Sequence, residues 1–190
     1  MRRRPTFVKW SLLPAILRLV ADLRTPDELY DFGFISQDAY RIAQALDGVP
    51  APLVTGELRK IAGFPVGKAQ SAAYHKALAE LEHRLLVTTE FGEDEANGSK
   101  CHALIFDRRR NDLLTAEAMT VEGAVETFLR AYLPAARYAV PAQLARHLRV
   151  PAADITGGLT RLDELGLLTP VSCPGINGSA YLWIGDRERP

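Results

Sequence analysis

The sequence has little cysteine, no excess charge of either sign and no long apolar run, and each lack removes a class of protein. Its two cysteines, Cys101 and Cys173, stand 72 residues apart without a second ligand nearby. A disulfide scaffold and a CxxC metal or redox pair are therefore excluded, and buried reduced thiols are expected. Lys plus Arg and Asp plus Glu number 23 each, for a formal net charge of +0. A strongly basic nucleic-acid binder does not look like this, so any such contact has to come from local patches. No run of apolar residues reaches the roughly 18 that a membrane-spanning helix needs. The N-terminus starts basic and turns apolar like a secretory signal, but Lys9, Arg18, Asp22 and Arg24 interrupt it and no cleavage site follows. A cytoplasmic location with no membrane contact is the expectation.

Catalytic motifs are scarce as well. No HExxH, GxSxG, Walker loop or dinucleotide fingerprint occurs. Gly63-Phe64-Pro65-Val66-Gly67-Lys68 has the glycines and the lysine of a phosphate loop, but no Ser or Thr follows and no strand precedes it. His75 and His83 fall on roughly one helix face without a third ligand, while His102 and His147 stand alone. Neither a metal nor a cofactor is expected.

What is present is ordinary globular material: 190 residues, 47% hydrophobic and 24% charged. Leu13, Ile16, Leu17, Val20 and Leu23 make a helical stripe, and Thr25-Pro26-Asp27-Glu28 restarts the chain with a capping box. Ser36 then caps a helix with Ala39, Ile42, Ala43 and Leu46 inward, ending at Asp47-Gly48. A second helix is expected from Thr55 to Ala62, burying Leu58 and Ile61, and a third from Ser71 to Arg84 with Ala77, Leu78 and Leu81 inward. Strands are expected over Leu85 to Phe91 and Cys101 to Phe106. Three helices followed by a β-hairpin make a winged helix-turn-helix.

The order then repeats. A helix from Thr120 to Tyr132, a short one opened by Pro141 and a third with Ile155, Leu159, Leu162 and Leu165 inward precede strands over Leu167 to Val171 and Ala180 to Ile184. Pro174, Gly175, Asn177 and Gly178 supply turn chemistry between those strands. An offset of 86 carries Ala39, Ile42, Ala43, Leu46 and Leu58 onto Val125, Phe128, Leu129, Tyr132 and Leu144. An offset of 81 carries Leu78 and Leu81 onto Leu159 and Leu162. The expected fold is mainly α with small β-hairpins (α+β), a tandem winged helix-turn-helix. An N-terminal helical segment spans 1–34, the first winged-helix unit 35–107, a linker 108–119 and the second unit 120–190.

A winged helix reads DNA by laying its third helix in the major groove. In the first unit that helix offers Lys68, Gln70, Ser71, Tyr74, His75 and Lys76 near its start, among them phosphate donors and a base reader. A solvated helix face carries the same residue types. Glu93, Asp94 and Glu95 at the wing tip oppose phosphate, with Lys100 alone in favour. The second unit's third helix sets Arg161 against Asp154, Asp163 and Glu164, which suits a structural role. The strongest basic patches are Arg2, Arg3, Arg4 and Arg108, Arg109, Arg110.

Leu58-Arg59-Lys60-Ile61-Ala62-Gly63 and the run from Ala77 to Val87 resemble the bacterial AlkZ-type winged-helix proteins. So do Phe128 to Leu133, Pro141 to Ala145 and Leu159 to Leu162, and the resemblance covers about residues 36–170. It implies an array of winged helices around a DNA channel, in a family that includes glycosylases unhooking interstrand crosslinks. Those glycosylases are much longer and depend on a Gln-x-Gln motif. Here Gln37, Gln44, Gln70 and Gln143 each lack a second Gln two residues away. The resemblance thus implies a short relative that binds double-stranded DNA, in repair or transcription, without cleaving glycosidic bonds. Two alternatives stay open. One is a glycosylase with another water-activating group, for which Glu57 and Asp38 are the available acids. The other is a protein-interaction module, with a protein partner or a homodimer built on the segment Leu12 to Arg24.

Overall fold

The computed structural model describes residues 9–91, 100–172 and 179–185. It is mainly helical with two small antiparallel sheets. A 3₁₀ turn, Trp10–Leu12, leads into α1 (Leu13–Val20), followed by α2 (Pro26–Asp31) and α3 (Gln37–Leu46). Then come β1 (Leu53–Val54), α4 (Thr55–Ile61), α5 (Lys68–His83), β2 (Val87–Phe91), β3 (Lys100–Leu104) and α6 (Ile105–Arg108). After α7 (Arg110–Ala118), the chain continues as α8 (Val121–Ala136), β4 (Tyr138–Ala139), α9 (Pro141–Leu148), α10 (Ala152–Glu164), β5 (Leu168–Val171) and β6 (Ala180–Trp183).

Two compact units result. One gathers Ala21–Leu113; the other gathers the chain before it and after it. The N-terminal segment is thereby divided. α1 packs on α8 and sends Ala15 and Leu19 into the second unit's core, whereas α2 packs on α3 and buries Leu29 in the first. Local chemistry explains the helix starts. Thr25 and Glu28 close a reciprocal capping box. Ser36 caps α3 through Ala39 N–H, and its own N–H and hydroxyl donate to Glu80 of α5 at 3.0 and 2.8 Å. Thr120 caps α8, and Pro141 occupies the first turn of α9.

The units share one plan. Strand order is β1-β3-β2 in the first and β4-β6-β5 in the second, all antiparallel. The matching extends to hydrogen bonds at helix ends. α4 stops at left-handed Gly63 with Phe64 N–H donating to Arg59 O at 3.0 Å. α9 stops at left-handed Arg149 with Val150 N–H donating to Ala145 O at 3.2 Å, an offset of 86 at every position. α5 stops at left-handed Leu85 and α10 at left-handed Gly166. Leu86 N–H donates to Leu81 O at 3.0 Å and Leu167 N–H to Leu162 O at 2.9 Å, an offset of 81. The two units thus end corresponding helices with paired left-handed caps at the same offsets as their apolar residues.

Four local expectations are corrected. Ile61 is 54% exposed, because the core face of α4 runs through Leu58 and Ala62 (i, i+4). Leu165 is 60% exposed, because it lies past the end of α10 at the capping position. Leu85 and Leu86 precede the strand, turned by the cap just described. Phe106 belongs to α6, since the strand ends at Leu104. The hairpin residues Pro174, Gly175, Asn177 and Gly178 and the acidic Glu93, Asp94 and Glu95 lie outside the described residues.

Candidate nucleic-acid interface

The first unit positions its polar helix with a stapled turn. Arg59 of α4, half-buried, donates from Nη2 to Pro65 O at 2.9 Å and Gly67 O at 3.3 Å. It thereby ties the end of α4 to the start of α5. Gly67 precedes α5 with φ +153°, and no side chain caps the helix, so its first N–H groups are left without a side-chain partner. Val66 at the turn is fully exposed. The core side of α5 is Tyr74, Ala77, Leu78 and Leu81.

On the outer side stand Lys68, His75 and Lys76, all exposed, with Ser71 half-buried beside them; Gln70, also exposed, lies in the first turn above the Tyr74 side. Small Ala69 and Ala72 keep that surface shallow. α5 begins at Lys68, three residues before the expected start at Ser71, so Lys68 projects from the first turn rather than from a loop. Tyr74 is the one residue of this set that is misplaced. Its ring is 0% exposed, edge-on to Phe64 at 5.5 Å, and it belongs to the core. Its hydroxyl is enclosed with no hydrogen-bond partner, and burial pushes the phenol up to about 12.

The run Arg108 to Arg110 does not join this face. Arg2, Arg3 and Arg4 lie outside the described residues. Arg108 pairs with Glu90 at 3.3 Å, Arg109 is half-buried with its Nε enclosed, and Arg110 is exposed at the start of α7. Ile105 N–H donates to Leu86 O at 2.9 Å, which holds this run by the C-terminal end of α5, far from Lys68. Of the acids available to a glycosylase, Glu57 is exposed on α4 and Asp38 is paired with Arg41 at 3.3 Å. His102 is a core residue. Its Nε2 meets Thr55 Oγ1 at 2.9 Å, its Nδ1 meets Thr89 Oγ1 at 3.2 Å, and Thr89 donates to Glu82 at 3.0 Å. Among the described residues no group of three or more His, Cys, Asp or Glu is placed to hold a metal, and no helix is long and apolar enough to cross a membrane.

With this geometry in place, comparison with known proteins decides the family. The AlkZ-related family model matches residues 1–149. The chain belongs to the AlkZ-related family. No curated protein and no solved structure matches it.

This AlkZ-related chain has a further basic region away from the third helices. Residues 127–153 contain Arg130, Arg137, Arg146 and Arg149 and no acid. Arg130 is paired with Glu126 at 2.9 Å, while Arg137 and Arg146 are exposed around α9. A running count of charge along the second half would have found this stretch.

Proposed function

We propose that the protein binds duplex DNA non-catalytically through tandem winged helices, with α5 of the first unit entering the major groove. Each unit's order of helix, short strand, two helices and two strands, with the first strand hydrogen-bonded beside the last, supports the winged-helix reading. The observation that carries the DNA reading is the outer face of α5. Lys68, His75 and Lys76 share that face, and Gln70 is exposed in the first turn of a helix whose start is stapled by Arg59, so cations for phosphate stand near side chains able to reach base edges. Membership in a repair-associated family supports the same ligand. Catalysis is left out of the proposal because no glutamine pair offers a Gln-x-Gln motif.

Fluorescence anisotropy with a labelled mixed-sequence duplex, titrated across salt, tests the reading. Affinity should fall steeply with salt. The double variant Lys68→Ala/Lys76→Ala should lose about two from the slope of log K against log salt, roughly one per phosphate contact. No duplex binding at low salt, or an unchanged slope in the double variant, would sink the proposal. Release of free base from alkylated duplex would overturn its non-catalytic part.

A further inference from the structure

The second unit carries a pocket that α5 does not share. It lies where the end of α8, β4 and α9 meet, holds about 280 Å³, and is lined by Tyr132, Tyr138, Val140, Gln143, Leu144 and His147. Gln143 and His147 are one helical turn apart, so both side chains stand on one face of α9. Tyr132 is held by Phe128, whose ring stacks on it at 5.4 Å and 15°. Tyr138 is 52% exposed on β4, directly opposite Leu182, itself 39% exposed. Two aromatic rings thus face solvent around a floor of Val140 and Leu144. An amide and an imidazole are at hand for hydrogen bonds.

The chain segment that lines the pocket carries charge of one sign. Arg137 immediately precedes Tyr138, and its backbone is fixed by Arg137 N–H donating to Leu133 O at 2.8 Å and Trp183 N–H donating to Arg137 O at 2.7 Å. Arg146 sits between Gln143 and His147 in α9, and residues 127–153 include no carboxylate side chain. Both arginines are exposed. A ligand suited to this place joins a flat apolar ring to an anion a few ångströms away. A nucleotide has that form, with its base against tyrosine and its phosphate on arginine.

We infer that the second unit takes an unpaired nucleotide of a nucleic-acid strand, the base in the Tyr132–Tyr138 pocket and the adjoining phosphates on Arg137 and Arg146. Different residues in a different unit carry this inference, so it does not rest on α5 binding duplex. The probe is a fluorescein-labelled single-stranded oligothymidylate, followed by anisotropy with the full chain. Tyr138→Ala should weaken binding roughly tenfold or more, as loss of one base–aromatic stack does, while Tyr138→Phe keeps most of the affinity. Arg146→Ala should weaken binding and lower the salt slope by about one. Lys68→Ala/Lys76→Ala should leave the single-strand affinity unchanged. Since Tyr138 and Arg146 are both exposed, unaltered tryptophan fluorescence should confirm the fold of the variants. The inference is overturned if the strand does not bind, or if neither Tyr138→Ala nor Arg146→Ala weakens it. Equal competition by thymidine monophosphate would overturn the strand in favour of a free nucleotide.

Discussion

Adjacent glycines in α10 should respond to the same substitution with opposite signs. A Cβ built at Gly158 would lie 2.6 Å from Val125 Cγ1 and 2.9 Å from Leu129 Cδ1, both on α8. Ordinary carbon contacts begin near 3.5 Å, so Gly158→Ala must push the two helices apart or force Val125 off its rotamer, a cost of about 1–3 kcal/mol. Alanine gains about 1 kcal/mol over glycine as a helix former, which leaves a net loss of about 1 kcal/mol. At Gly157 the new Cβ meets only Arg161 Nη1 at 3.7 Å, so the helical gain stands unopposed and Gly157→Ala should stabilise by up to about 1 kcal/mol. Both tryptophans, Trp10 and Trp183, belong to the second unit, so urea unfolding followed by their fluorescence reports that unit alone. Val125→Ala removes the atom nearest the new Cβ, so adding Gly158→Ala to that background should cost less than in the native chain. The same sign for both single substitutions, or strict additivity in the double variant, would refute the close α8–α10 crossing.

Two further outcomes follow from the first unit's core. The Tyr74 hydroxyl is enclosed without a partner, so Tyr74→Phe should stabilise by about 1 kcal/mol, measured by chemical unfolding, and should leave DNA affinity unchanged. His102 has its pKa lowered from 6.5, chiefly by burial, with Glu82 opposing. The folded state therefore prefers the neutral ring, and that stability is present above about pH 6.5 and lost as pH falls, because the unfolded chain takes the proton first. His102→Gln should flatten the fall in midpoint temperature between about pH 7 and 5. An unchanged profile would count against His102 as its source.

The duplicated plan was legible because it rests on periodicity and punctuation. Ser36, Thr120 and Pro141 open helices where capping chemistry says they should, and the offsets of 86 and 81 survive as hydrogen bonds at Gly63, Arg149, Leu85 and Gly166. What failed were decisions that depend on a neighbour. Ile61 and Ala62 both suit the face next to Leu58, and only packing selects Ala62. Tyr74 reads as a polar aromatic near a helix start, but one turn after Ser71 its position coincides with the core side of α5. The two-residue strands β1 and β4 carry too few residues for alternation to show, yet they complete both sheets. Of the interface candidates, exposure separates Lys68, Gln70, His75 and Lys76 from Tyr74, and Arg108 is ion-paired with Glu90. Neither is written in local sequence, because exposure and pairing depend on what folds alongside.

The two units also keep their packing while differing in their surfaces. Gly158 aligns with Ala77, and its contacts Val125 and Leu129 align with Ala39 and Ala43, by the offsets already given. At these positions the first unit has three alanines of one core cluster, where the second sets glycine against valine and leucine. A methyl lost on the third helix is matched by bulk gained on the first, as close packing requires. No such compensation binds the exposed positions. In the first unit exposed cations stand on the third helix at Lys68 and Lys76; in the second that helix offers Thr156, Gly157, Thr160 and an Arg161 paired with Glu126, and exposed cations stand at Arg137 and Arg146. If nucleic acid is the ligand of both, the two units meet it with different elements. Single-strand and duplex binding should then respond to separate sets of substitutions, and a variant that impaired both equally would argue that one surface serves both.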